Sequence, residues 1–390
     1  MNKRPRLGED TRRGGSFTER APLVILGDMR QKLTVEEQID VMKRHGVLFE
    51  DCDENKAADF LTYNTYFFKL KVFENNFRKT EDGLYDGLDF AHLVDLSTID
   101  YRLRALLSSL CLNIEHAMKA RFNRLLMDDP NEDGYQIVRE FDPERKYVFT
   151  GYNNERGGVY HYSPYSEEMV DKFCREPAAW NLWEVVSFSD LQAMYDCYIQ
   201  KRGLRDNATT FNKSVRILRN AASHSSCLLI GLRREKGKEI NPTSYFMTCL
   251  SEIGKILQYE DASIGKLKSA VRKYPLVHDY ACTLMSFLVM VDSQGIRKSI
   301  GKSIQEFSDR FELKYQYSQM KQCPALRDIS WGMRYASELA ARYIDEHASD
   351  FKGNRILHTQ PQPIGLRPNK ARAAQMRQMA QGNQSAKERT

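Results

Sequence analysis

Arg219 and His224 are separated by four residues in the stretch Arg216-Ile-Leu-Arg-Asn-Ala-Ala-Ser-His224. A guanidinium is a permanent cation whose planar fork suits a phosphate, and an imidazole changes charge near neutral pH. Together they supply the charge stabilisation and proton transfer that metal-free cleavage of an RNA phosphodiester needs. On a helix advancing about 100° per residue, Asn220 and His224 share a face one turn apart, and Leu218, Ala222, Ser225 and Leu229 fall on the other side. The pattern predicts a helix that buries one stripe and presents the polar set. The small Ala221, Ala222 and Ser223 would let a nucleotide or a second backbone approach the histidine. The bland reading of the same residues is a core histidine satisfied locally, with Arg219 in an ordinary ion pair.

The sequence contains two other pairs of the same spacing. Arg156 and His161 lie in a Gly-rich stretch read as a hairpin, whose backbone would hold two side chains poorly. Arg342 and His347 lie on a helical pattern with Asp345 and Glu346 between them, which offer salt-bridge partners and repel a phosphate. Both pairs rank behind Arg219 and His224.

The elements that must position the pair are helical. Thr34-Val-Glu-Glu37 is a capping box that opens a helix stopping at Gly46, and a second helix runs from Glu54 towards Phe68. The aromatic cluster Tyr63, Tyr66, Phe67, Phe68, Phe73 and Phe77 is assigned to the core, although an aromatic series beside lysines could also stack bases. The longest helix is expected from Ser97 or Thr98, with Leu103, Leu107, Leu110, Ile114, Met118 and Leu125 on one stripe. Arg121 interrupts that stripe. It either pairs with a carboxylate or, with Lys119, lines the groove of Arg219. After Asp129-Pro130 comes a Tyr- and Gly-rich insert, with Tyr147 to Thr150 and Val159 to Ser163 read as a hairpin. Helical pattern returns at Ser189, and the motif helix is expected to be capped by Asn207 or Thr210. Further helices are expected over roughly 245–257, 280–291, 304–311 and 331–348.

At 390 residues with 42% hydrophobic content, the chain can bury a large core. No apolar run is long enough for a membrane span and no signal-like region is visible, so a soluble cytosolic protein is expected. The eight cysteines follow no zinc or disulfide spacing, and neither metal nor cofactor is expected. The net charge of +6 is concentrated at the ends: six Lys/Arg against three acids over 1–20, and eight against one over 352–390. Such ends read as tails that add unspecific attraction to nucleic acid.

Four blocks in order carry a family resemblance: Leu33-Thr-Val-Glu-Glu-Gln-Ile-Asp40; Ile99-Asp-Tyr-Arg-Leu-Arg-Ala-Leu106 leading to Glu115; Pro177-Ala-Ala-Trp180 with Glu184 and Ser187-Phe-Ser-Asp-Leu191; and Leu218-Arg-Asn-Ala-Ala-Ser-His224. Over roughly residues 30–235 the chain resembles the Abi family of abortive-infection proteins, the AbiD and AbiF type. That family is similar to HEPN ribonucleases, helical proteins that cleave RNA without metal. The resemblance implies a mainly α, HEPN-like helical bundle with a small hairpin-like insert, an N-terminal helical lobe and C-terminal helices. The expected boundaries are a basic tail at 1–28, the lobe at 29–95, the HEPN-like domain at 96–240 with its insert at about 130–180, C-terminal helices at 241–350 and a tail at 351–390. It also implies that Arg219, Asn220 and His224 are catalytic and that Glu115 supports them. Lys119, Arg121 and Ser223 are the candidate RNA contacts. The family's second histidine, arginine and later asparagine are replaced by Ser225, Cys227 and Ile230. The expected partners are an RNA substrate, a second copy of the chain in a homodimer, and a small RNA or protein inhibitor, with no membrane. The competing expectation is a catalytically inactive helical module that binds RNA or protein.

Overall fold

The computed structural model describes residues 32–143, 164–173, 176–230, 239–311, 324–347 and 361–364. The fold is mainly α, as expected. Thr34 caps the first helix, α1 (Val35–Arg44), through the expected reciprocal pair: its hydroxyl accepts the Glu37 N–H and the Glu37 carboxylate accepts the Thr34 N–H. The chain then turns at Gly46 with φ +85°, where a Cβ would meet Leu84 and Tyr85 at 3.0 Å. Asp53 caps α2 (Glu54–Tyr63), which a short turn joins to α3 (Phe67–Glu74). The aromatic cluster does not enter the core as a unit. Phe73 and Phe77 are buried, whereas Tyr63, Tyr66 and Phe68 are 82%, 60% and 58% exposed. Lys69, Leu70 and Lys71 take the inward positions of α3 instead.

The organising element is α4 (Phe90–Asp128), 39 residues and roughly 58 Å long at 1.5 Å per residue. It starts at Phe90, ahead of the expected Ser97, so the expected boundary at 95/96 falls inside a continuous helix. Asp89 sets this start. One carboxylate oxygen accepts the Ala91 N–H and the other accepts the N–H groups of Glu50 and Asp51, which fastens the N-terminal lobe to the helix. The stripe Leu103, Leu107, Leu110, Ile114 and Met118 is buried as expected.

Beyond α4 the described part of the insert forms the short helices α5 (Gln136–Phe141), α6 (Glu167–Phe173) and α7 (Ala179–Leu182). The expected hairpin at 147–150 and 159–163 lies outside the described residues. Ser187 caps α8 (Phe188–Lys201). At its end Arg202 gathers three carboxylates, with Nε at 2.8 Å from Asp129, Nη2 at 2.6 Å from Glu132 and Nη1 at 3.1 Å from Glu140. Burial opposes charge on Asp129 and Glu140. The Asn131 N–H on Asp129, the Gln136 amide on Glu140 and Arg202 on both nevertheless hold the two carboxyls below their ordinary values. A carboxyl lowered in the folded state contributes stability above its unfolded pKa, and that contribution is lost as pH falls through the folded value. Urea midpoints should therefore drop as pH falls below about 5, and Arg202→Ala should flatten this drop. Equal pH dependence in the two proteins would refute the assignment.

The strand β1 (Leu204–Arg205) pairs antiparallel with β2 (Gln362–Pro363), and the Ile364 N–H donates to the Gly203 carbonyl at 2.8 Å. This corrects the expectation that 351–390 is tail throughout, because residues 362–364 are hydrogen-bonded to the body. The C-terminal region contains α10 (Ser244–Ile256), α11 (Asp261–Lys273), α12 (Pro275–Met290), α13 (Gln294–Arg310) and α14 (Pro324–His347). The pattern missed α11, whose four buried positions are spread among charged ones. Apolar nearly all round, α12 is the buried centre and packs on α4, α11 and α14. Among the described residues no helix is long and apolar enough to cross a membrane.

Candidate active site

The helix that carries the motif, α9 (Asn212–Ser223), is entered through a 3-10 turn over Asn207–Phe211. The cap of that turn is Asp206, whose carboxylate accepts the Ala208 N–H at 3.0 Å, and not Asn207 or Thr210. Val215, Leu218 and Ala222 are buried where α9 packs on α4 and α12. Arg216, Asn220 and Ser223 are exposed. The helix is shorter than the periodicity implies. His224 is its C-cap, with φ −86° and ψ 7°, and its N–H donates to the Asn220 carbonyl at 2.9 Å. Ser225 follows at φ +53° and is exposed. The expected stripe therefore holds for Leu218 and Ala222, but Ser225 and Leu229 lie beyond the helix. The exposed imidazole stands at the end of α9, not along its side.

Residues from three other elements fix the chain after His224. Lys69 Nζ, from α3, donates to the Ser225 carbonyl at 3.2 Å. Asp100 Oδ1, from α4, accepts the N–H groups of Leu228 at 2.6 Å and Leu229 at 3.0 Å. Just past α3, Asn76 Nδ2 donates to the Leu229 carbonyl at 2.7 Å. The second Asp100 oxygen takes Arg104 Nε at 3.0 Å, so this fully buried carboxylate is satisfied on both sides. Burial, and then the Arg104 charge, lower the pKa of the Lys69 ammonium. Sequence reasoning missed this clasp. Asp100 and Arg104 lie in the Ile99–Leu106 block, which was a usable signal, but nothing local marks Lys69 or Asn76. Asp100→Ala would leave the Leu228 and Leu229 N–H groups without their acceptor and the buried Arg104 guanidinium without its counter-charge, with only the backbone carbonyl of residue 100 still accepting from Nε, at a cost of about 2–5 kcal/mol. Asp100→Asn, which keeps one acceptor oxygen, should lose less. Urea unfolding measures both, and equal losses would contradict the assignment.

Glu115 sits where expected. Its Oε2 is 3.8 Å from Arg219 Nη2 and, among the described residues, has no hydrogen-bond partner. That separation is an ion pair beyond hydrogen-bond length, so the half-exposed guanidinium is oriented while its donors stay available to an anion. Lys119 is drawn instead to Glu184 at 3.6 Å. Arg121 is corrected outright as an RNA contact. It is buried, with Nη2 at 2.9 Å and Nε at 3.0 Å from Asp206 and Nε at 3.2 Å from the Tyr195 hydroxyl. The gap in the α4 stripe is thus a structural ion pair. Ser223 is exposed at the last position of α9, next to His224.

Arg342 is held by Glu346 at 2.9 Å and lies over the Tyr259 ring, in keeping with a solvated helix face. Arg156 and His161 lie outside the described residues. The sequence reading did not find a cysteine–histidine–aspartate row on α12: Cys282 Sγ is 3.8 Å from His278 Nε2, and His278 Nδ1 is 3.0 Å from Asp279. Burial pushes the Cys282 thiol far up, which keeps it neutral and unfit as a nucleophile. Asp279 accepts the Ser214 hydroxyl at 2.7 Å, so the row serves to tie α9 to α12.

No curated protein and no solved structure matches the chain. A family comparison does. Residues 59–229, which run from the middle of α2 to the clasp behind His224 and include Glu115 and Arg219, match the family model described as Abi-like protein, and this supports a likeness to the Abi family.

Proposed function

We propose that the protein is a metal-independent endoribonuclease of an abortive-infection system. The observation that carries this reading is the placement, on one helix and its C-cap, of a half-exposed arginine steered by Glu115 and an exposed histidine whose following chain is clasped by Lys69, Asn76 and Asp100. A rigid mount for two chemically apt groups is what phosphoryl transfer asks of a protein. The 2′-hydroxyl attacks the adjacent phosphorus and the 5′-oxygen leaves. His224 moves a proton, and Arg219 neutralises charge on the non-bridging oxygens. Asn220 orients the phosphate, with Ser223 beside it. The products are a 2′,3′-cyclic phosphate and a 5′-hydroxyl, and DNA is inert because it lacks the nucleophile.

One histidine does not serve as base and acid in a single step, so the reading includes a homodimer in which two α9 ends share one phosphate. Growth arrest on free expression, relieved by a small RNA or protein inhibitor, is the matching biology. The test is incubation of the purified protein with single-stranded RNA and with DNA of the same sequence in EDTA, followed by analysis of the product ends. A second reading, a catalytically inactive RNA- or protein-binding module, is favoured by the approach of Glu115 to Arg219, which offsets part of the cation. RNA binding without EDTA-resistant cleavage would select it.

A further inference from the structure

Three aromatic rings that composition assigns to the core stand in solvent. Tyr63 is the last residue of α2, Tyr66 is the N-cap residue of α3, and Phe68 lies in its first turn. They are the most exposed of the cluster, at 82%, 60% and 58%, while their aliphatic neighbours Leu61 and Leu70 are buried. Only planar rings face out here, with the uncharged Thr62 and Asn64 beside them. The turn beneath is rigid. The N–H groups of Asn64 and Thr65 both donate to the Phe60 carbonyl, and the Lys69 N–H donates to the Tyr66 carbonyl. From Phe60 to Phe73 the chain has two lysines, both buried, and no acid; the flanking acids are the exposed Asp59 and the buried Glu74.

This surface is fixed to the candidate site from both ends of α3. Lys69, adjacent to Phe68, holds the Ser225 carbonyl, one residue past His224, and Asn76 holds Leu229. One Cα step of about 3.8 Å and one lysine side chain therefore separate Phe68 from the chain that carries the histidine. A phosphate at Arg219 and His224 would bring its neighbouring nucleotides within reach of these rings.

We propose that Tyr63, Tyr66 and Phe68 form a stacking platform for the unpaired bases of single-stranded RNA running to His224. The proposal rests on the ribonuclease reading for its substrate, and it limits that substrate to unpaired RNA. Bases paired in a duplex keep their faces stacked on each other and have none to offer a side chain. Tyrosine and phenylalanine stack without reading base identity, so the platform selects single strands and not sequence.

Binding separates this proposal from the chemistry. In a His224→Ala background with EDTA, the affinity for an unstructured fluorescent RNA should fall at least about tenfold on replacing Tyr63, Tyr66 and Phe68 by alanine. Binding of an RNA duplex of equal length should not change. Tyr63→Phe with Tyr66→Phe should keep the affinity, since the ring and not the hydroxyl makes the contact. Ultraviolet cross-linking of the unaltered protein to the same RNA should map to residues 63–68, a readout independent of how the triple variant folds. Unchanged single-strand affinity in a folded triple variant, no single-strand binding at all, or cross-links confined elsewhere would overturn the platform even if RNA is cleaved. Loss of binding in the triple variant of a protein that never cleaves would leave the platform standing and end the nuclease reading.

Discussion

His224→Ala is expected to lower RNA cleavage between about a hundred- and ten-thousand-fold, the range lost when a positioned proton carrier is removed. The side chain is exposed at the end of α9, so its truncation opens no cavity, and the melting temperature should not move. Arg219→Ala should cost about a hundred- to a thousand-fold through lost charge stabilisation. Arg219→Lys should recover little of it, because an ammonium lacks the planar fork that Glu115 orients. The two variants also test the shared site. Mixed Arg219→Ala and His224→Ala protomers should regain activity that neither has alone, since each supplies the group the other lacks. A strict monomer that cleaves at full rate would exclude the composite site. A His224→Ala protein as active as the parent would exclude His224 from the chemistry altogether.

The second large effect is on stability. Asp206 is buried and has three duties: it pairs with Arg121, accepts the Tyr195 hydroxyl at 2.5 Å and caps the turn that leads into α9. Burial, reinforced by the Asp206 charge, pushes the Tyr195 phenol up, so it remains a donor. Asp206→Ala leaves a guanidinium in a low-dielectric interior without its counter-charge, and about 3–5 kcal/mol of stability should be lost. The double replacement Arg121→Met with Asp206→Leu should lose less than Asp206→Ala, because no unpaired charge is then buried and the volume is largely kept, although the Tyr195 hydroxyl and the Ala208 N–H still lose their acceptor. Urea unfolding followed by circular dichroism measures all of these. A loss under about 1 kcal/mol for Asp206→Ala would show that water or another group replaces the carboxylate. Failure of Asp206→Ala to cleave RNA would accompany loss of folded protein, which distinguishes it from His224→Ala.

Signals carried within a few residues of one another were legible in the chain. Thr34 and Glu37 close a capping box because both partners lie within one turn. The stripe from Leu103 to Met118 is buried because helical period alone puts it on one face. The spacing of Arg219 and His224 is the source of the proposed chemistry, and the order of the four blocks pointed to the Abi-like family that the match over 59–229 supports. Three things were decided only by tertiary structure. The motif helix stops at Ser223, where Ser225 takes φ +53° and the Ser226 N–H turns back to the Ala221 carbonyl, and Asp100, 128 positions before Leu228, captures the N–H groups of Leu228 and Leu229 and fixes the chain that follows. Arg121 reads in sequence as a gap open to a groove, and it is closed by Asp206, which approaches from 85 positions away. Tyr63, Tyr66 and Phe68 read as core because aromatic rings among apolar neighbours usually pack, yet α3 turns Lys69 and Lys71 inward to Ser225 and Glu74 and these three rings stand in solvent. Residue type sets the cost of burying a side chain, but which face finds a partner depends on chain segments that no local pattern brings together.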